Sequence, residues 1–225
     1  MNEADHRVRV AAERRGRMRE HLLQAALRLM AERGTEGAVI DDIARAADVS
    51  RGTFYKYYAS PADLVRDLAL RLADDMIITV NGLTRHHHDP ALRAALGLRA
   101  ILGLVAACPR LGGFMARAGW PVSDPSHAFF RIVAPNIDEG LASGRFRRRD
   151  RDLCLTLIGG ISVGAMYRMT TGPVPAGFAE EAAEMLLAGL GLAAEEARDL
   201  SRMAIALPEP APGSLLARIM AGTKV

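Results

Sequence analysis

Cysteine is scarce in this chain. Cys108 and Cys154 are the two among 225 residues, and one distant pair makes no disulfide framework. Lysine is scarce too, because of 29 basic residues other than histidine two, Lys56 and Lys224, are lysine. A GC-rich genome leaves such a bias, so single surface arginines are not read as functional. Long apolar runs are missing as well. The longest uncharged one, Leu153 to Tyr167, stops at Arg168 and falls short of the roughly 18 residues that suggest a membrane span. The N-terminal arginines and glutamates are followed by no apolar h-region, so no secretory signal is read, and the expectation is a cytoplasmic protein that crosses no membrane. Also lacking are a nucleophile elbow, a phosphate loop, a zinc-ligand spacing and a paired-carboxylate motif. The chain is therefore read as no enzyme, with no cofactor and no metal. His86-His87-His88 does not change this, because consecutive loop histidines cannot all aim at one ion. What is present is a globular composition: 50% hydrophobic and 24% charged, with a formal net charge of +3.

Strand-like alternation never lasts, whereas apolar residues recur at three- and four-residue spacing, so the fold class is all-α. Gly34, Gly37, Ser60-Pro61, His86 to Pro90, Pro109, Trp120 to Pro125, Gly144 to Asp152, Thr171 to Gly177 and Pro208 to Pro212 punctuate the helices. Residues 17–33 predict an amphipathic helix with Leu22, Ala25, Ala26, Leu29 and Met30 on one face and Gly34 at its C-cap. A short second helix, Ile40 to Ala47, turns Ile43, Ala44 and Ala47 inward and keeps Asp41 and Asp42 in its first turn, where the dipole favours them. Asp48 suits the tight turn that follows, because Asp visits left-handed backbone more easily than most residues. Ser50 then caps a third helix, Arg51 to Tyr58. Ser60-Pro61-Ala62-Asp63 opens a long fourth helix with an N-cap, a proline at the first position and an acidic third residue.

The third helix carries the chemistry. Phe54 and Tyr58, four apart, face inward, while Arg51, Thr53, Tyr55, Lys56 and Tyr57 crowd the outer surface with hydrogen-bond donors. Such groups suit the DNA major groove, whose base edges and phosphates accept hydrogen bonds; a solvated helical face is the other reading of the same residues. Arg7, Arg9, Arg14, Arg15, Arg17 and Arg19 add positive charge to a leader that could reach phosphates or a minor groove.

The order of these residues resembles the TetR family of bacterial transcriptional regulators. The likeness lies in Ile43-Ala44 and the run Ala47-Asp48-Val49-Ser50-Arg51-Gly52-Thr53-Phe54-Tyr55-Lys56-Tyr57-Tyr58, then Ser60 and Leu64, preceded by Ala25-Ala26 and Gly34. The resemblance implies a homodimer with two DNA-reading domains and a divergent helical domain that binds an unknown small-molecule effector. It also implies a division into a basic flexible leader (1–16), a three-helix helix-turn-helix domain (17–63), a larger effector-binding and dimerisation domain (64–207) and a C-terminal tail with a short helix (208–225). By motif position Thr53, Tyr55 and Tyr57 fall where the family contacts its double-stranded operator; Gly52 lets the helix approach closely, and Arg51 and Lys56 stand among them. Three positions depart from the family's habit: Val39 replaces a threonine, Asp48 a glycine and Pro61 a lysine. Two recurrent phosphate contacts are thereby lost, and the arginine-rich leader is expected to compensate.

The second half matches the family only in length and helical character. Thr156, Gly160 and Gly164 recur every four residues and give a smooth face for a close helix partner, and Ala183 and Leu187 on the next helix complete an expected dimer interface; packing within one chain is the alternative for the glycine face. Candidate effector contacts are Phe114, Met115, Trp120, His127, Phe130, Met166 and Arg168. Arg145 to Arg151 is read as a solvated inter-helix loop, since Asp150 and Asp152 interrupt its charge. The expected function is a ligand-responsive regulator, a repressor released from a palindromic operator by a small, largely apolar effector. The alternative is a DNA-binding dimer whose C-terminal domain serves only dimerisation or a protein partner.

Overall fold

The structure, a computed structural model, describes residues 3–33, 40–109, 111–112, 115 and 126–221. Contacts divide the chain into two units, Met1–Ala69 and Leu70–Val225, so the division falls within the helix that begins at Pro61. No strand occurs among the described residues.

The first unit holds α1 (Glu3–Arg33), α2 (Ile40–Ala46), α3 (Arg51–Tyr55) and the start of α4 (Pro61–Thr84). The leader, expected as a flexible arm, is the N-terminal part of α1. Nine of residues 3–16 are Ala, Arg or Glu, strong helix formers, and none is proline, which outweighs the weaker Asp5, His6, Val8, Val10 and Gly16. Leu22, Ala25, Ala26, Ile43, Ala44, Ala47 and Phe54 are buried together as their spacing predicts. Gly34 and Val39 lie outside the described residues, as does the Met30 side chain. Between α2 and α3, the Val49 N–H donates to Ala44 O at 2.9 Å and the Asp48 N–H to Arg45 O at 3.1 Å. That is Schellman geometry, and it sets Asp48 at a φ of +50°, where glycine is freer. Ser50 Oγ accepts the Thr53 N–H at 3.0 Å and caps α3. Ser60 Oγ accepts the Asp63 N–H at 3.2 Å and donates back to Asp63 Oδ2 at 2.8 Å, the reciprocal cap that starts α4 at Pro61.

The second unit continues α4 and adds α5 (Pro90–Ala107), a π-helical turn (Phe129–Val133) running into α6 (Ala134–Ala142), α7 (Arg151–Thr170), α8 (Phe178–Leu190), α9 (Ala194–Ser201) and α10 (Leu215–Ala221). Helix α5 is central and touches α6, α7, α8 and α9. Helices α5 and α7 are long and apolar enough to cross a membrane by length and composition, yet each packs on neighbours inside this unit. Leu186, Leu187 and Leu190 on α8 are fully buried, which stabilises by about 2 kcal/mol apiece.

Charged pairs close the joints. Arg99 on α5 donates to Glu180 Oε1 at 2.6 Å and to the Met203 carbonyl, fastening the start of α8 and the segment after α9. Arg145 grips Asp89, the N-cap of α5, with two bonds of 2.8 Å and also pairs with Glu196 at 2.7 Å. Those bonds to Arg145 hold the Asp89 carboxyl below its ordinary value. Arg151 pairs with Asp138 at 2.6 Å. The basic run of residues 145–151, expected to be solvated, is thus pinned at both ends. The terminal segment is docked too: Leu216 N–H donates to Asp75 Oδ2 at 3.1 Å, and Leu215, Leu216 and Ile219 are buried.

Candidate DNA-reading surface and effector cavity

In the first unit the sequence builds α3 as a short exposed element on a rigid base. Its helix ends at Tyr55, sooner than the expected Tyr58, and Lys56 and Tyr57 occupy a turn. Arg51, Gly52, Tyr55 and Lys56 are exposed, and Thr53 and Tyr57 are half-buried. A Cβ added at Gly52 would meet only Ser50 Oγ, at 3.8 Å, so this side is open. Underneath, Phe54 is fully buried and its ring packs on Tyr55 and Tyr58 at 5.7 and 5.9 Å.

The base is fixed by contacts that sequence reading did not give. Tyr58 Oη donates to Asp67 Oδ2 at 2.6 Å, and Arg19 donates to the same oxygen at 2.9 Å with its guanidinium 5.1 Å over the Tyr58 ring. One carboxylate on α4 therefore ties α1 to the end of the α3 turn. Burial, with the bond to Asp67, pushes the Tyr58 hydroxyl up to about 12. His21 adds a second tie, donating to Ala47 O at 2.7 Å where α2 ends. The hydrogen-bonding reach of Tyr58 across nine residues and of Arg19 across forty-eight leaves no periodic signal, so only the apolar positions were legible. On α1 the side chains of Arg9, Arg14, Arg15 and Arg17 are exposed.

The second unit encloses a cavity of 340 Å³. Its wall is chiefly aliphatic: Met76, Ile77 and Val80 from α4, Leu98 and Ile101 from α5, Ile132 and Val133 from the π-helical turn, and Ile158 and Val163 from α7. The π register places Phe129, Ile132 and Val133 all on this wall. Of the expected effector contacts, Met115, His127 and Met166 line it. Phe114 and Trp120 lie outside the described residues. Two others do not reach it. Phe130 is half-buried with its ring edge-on to Phe129 at 5.7 Å, and Arg168 turns outward to donate to the Gly172 and Pro173 carbonyls at the end of α7. A long cation at a helix C-terminus finds free carbonyls nearer than any cavity. The polar wall that the sequence did not single out comprises Asn81, Thr84, Arg85, Arg93, Glu139 and Ser162. Arg93 spends its donors on Asn136 Oδ1 at 2.6 Å, His87 O at 3.0 Å and the Glu139 carboxylate.

Thr156, Gly160 and Gly164 are exposed on α7, next to exposed Leu153 and Tyr167, and a Cβ at either glycine would meet nothing. Ala183 and Leu187 are fully buried within the protomer, so they face its own core; the outward side of α8 carries Glu181, Met185 and Ala188. Cys108 and Cys154 are both buried. Among the described residues no three His, Cys, Asp or Glu side chains stand close enough to share a metal ion.

Comparison with known proteins agrees with this arrangement. Residues 22–68 match the family profile described as bacterial regulatory proteins, tetR family, and residues 89–203 match the tetracyclin repressor-like, C-terminal domain. The chain belongs to the TetR family. It is thus a transcriptional regulator with a DNA-binding helix-turn-helix and a ligand-binding helical domain, and no enzyme. Among solved structures, RolR in complex with its ligand resorcinol superposes with a TM-score of 0.72 at 27% identity, covering 89% of this chain and 100% of that one. The HTH-type transcriptional regulator AlkX of Mycobacterium tuberculosis is 35% identical over 75 residues, 33% of this chain and 36% of AlkX. YvdT of Bacillus subtilis, an uncharacterized regulator of the same type, is 36% identical over 70 residues, 31% of this chain and 35% of YvdT. The chain therefore spans only about a third of those two relatives.

Proposed function

We propose that this TetR-family protein is a homodimeric repressor that binds a palindromic operator and releases it when a small, largely apolar effector enters the second unit. The cavity is the observation that carries this reading, for a 340 Å³ aliphatic chamber has no purpose in a domain that only dimerises. Likeness to RolR with its resorcinol supports a ligand of that size. Arg51, Thr53, Tyr55, Lys56 and Tyr57 read the operator, with Gly52 allowing close approach; exposed Arg9, Arg14, Arg15 and Arg17 on α1 replace the phosphate contacts that Val39 and Pro61 cannot make. The dimer forms through the open stripe of Thr156, Gly160 and Gly164, with Leu153, Tyr167 and Met185 around it. Such a protein works where its DNA is, in the cytoplasm. The effector binds better to the conformation that holds the two α3 elements at the wrong spacing, and by linkage effector and operator weaken each other by the same factor.

Selection of duplexes from a random DNA library, followed by a salt titration of the selected site, tests this. The expected result is a palindrome whose half-sites lie on one DNA face, about 34–36 Å or a multiple apart, with affinity falling steeply as salt rises. A single unrepeated half-site, or no enrichment from a folded dimer, would refute the operator reading. Replacing Arg9, Arg14, Arg15 and Arg17 together with alanine should flatten the salt dependence, and unchanged affinity at moderate salt would remove the role given to these arginines.

A further inference from the structure

One polar group in the cavity has nothing to bond to. His127 is 6% exposed, and its Nδ1 accepts the Phe129 backbone N–H at 3.2 Å. A backbone N–H can only donate, so Nδ1 is the bare nitrogen and the ring proton sits on Nε2. Nε2 has no hydrogen-bond partner. Asp74 Oδ1 stands 3.4 Å away without bonding geometry and already takes the Ala128 N–H at 2.5 Å. A buried donor left unbonded is costly and calls for a reason.

The surroundings narrow the ligand. Met115, Phe129 and Met166, all apolar, line the same cavity as His127. The charged group of Arg93 and Glu139 is anchored from other helices, and Glu139 is 52% exposed, which marks the mouth rather than the floor. Arg93 already gives three of its five N–H donors to protein acceptors and pairs with Glu139, which weakens its pull on a ligand anion. This part of the wall thus offers a single N–H donor, with the Asp74 carboxylate behind it and a π-helical turn directly after it, a register that recurs at functional sites.

We propose that His127 Nε2–H anchors the effector and that the effector is a single-ring phenol. The phenolic oxygen accepts from Nε2–H, and the ring fills the apolar space. An engineered apolar cavity of about 150 Å³ takes up benzene, so 340 Å³ holds a ring with substituents. A plain hydrocarbon leaves Nε2–H unbonded, and an aryl carboxylate sets a second anion against Asp74. The proposal rests on the reading of this cavity as the effector site.

Calorimetric titration of the full chain with resorcinol, phenol, toluene and benzoate, repeated while operator binding is followed by fluorescence anisotropy, tests it. Resorcinol and phenol are expected to bind at least about tenfold more tightly than toluene or benzoate. His127→Leu should erase that margin while still taking toluene, and His127→Gln, which keeps an N–H donor, should recover part of it. Equal affinity for phenol and toluene in the unsubstituted protein, no binding of any ring, or unchanged phenol affinity in folded H127L would overturn the anchor. The first two outcomes need no variant. Binding that depends on His127 but leaves operator affinity unchanged refutes the switch and keeps the anchor; operator release by hydrocarbons and phenols alike does the reverse.

Discussion

Tyr58→Phe removes one oxygen from beneath the DNA-reading element, and the structure sets the size of the loss. The hydroxyl donates to Asp67 at 2.6 Å, and a hydrogen bond to a charged acceptor contributes about 1.5–3 kcal/mol. Burial, with the bond to Asp67, also pushes the hydroxyl from 10.0 to about 12, so its ionisation is disfavoured in the folded state. Asp67 is partly open to solvent and keeps its bond to Arg19 in the variant, so about 2 kcal/mol is expected. The folded value is raised above the unfolded one; the contribution is therefore complete below pH 10 and lost as pH climbs towards 12. Urea unfolding followed by circular dichroism should place Y58F about 2 kcal/mol below the unsubstituted protein at pH 8, with the gap shrinking by up to about 1.4 kcal/mol per pH unit above pH 10. A gap under about 0.5 kcal/mol at pH 8, or one that does not change with pH, would refute the reasoning.

Other substitutions probe other joints. Asp48→Gly places glycine at a φ of +50° and should stabilise by about 0.5–1 kcal/mol in the same assay; a loss would mean that the aspartate side chain has a task of its own. Gly140→Ala sets a Cβ 2.1 Å from Phe146 Cδ2, inside the ring's position, and should destabilise by about 1–3 kcal/mol, whereas Gly16→Ala, whose Cβ meets nothing, should be neutral or gain up to about 1 kcal/mol; equal effects would show that Phe146 moves aside freely. Gly164→Glu leaves the protomer's packing untouched because its Cβ faces open space, yet it should turn a dimer into monomers by light scattering with helicity unchanged. A persistent dimer would move the interface elsewhere.

The helix-turn-helix was legible because its determinants are local: a serine cap three residues from its donor, an aspartate at a left-handed turn, apolar residues three and four apart. The cavity was legible only in part. Met115, His127 and Met166 were found because large apolar and polar residues in apolar surroundings stand out, while Asn81, Thr84 and Arg93 sit on ordinary amphipathic faces and meet only once α4, α5 and α6 are brought together. Helix α8 shows the limit most clearly. Its inner face holds Ala183 and Leu187 and its outer face Ala188 and Met185, so both sides are apolar enough to pass for an interface. Hydrophobicity states that a face is buried; it does not state by whom. On α7 the sequence left two readings of the stripe open, a second subunit or the same chain; the structure exposes its small residues Thr156, Gly160 and Gly164 and buries the larger Leu155, Ile158 and Met166. No such asymmetry exists on α8, and the choice there is made by Arg99, which holds Glu180 at 2.6 Å and thereby turns Ala183 and Leu187 towards α5.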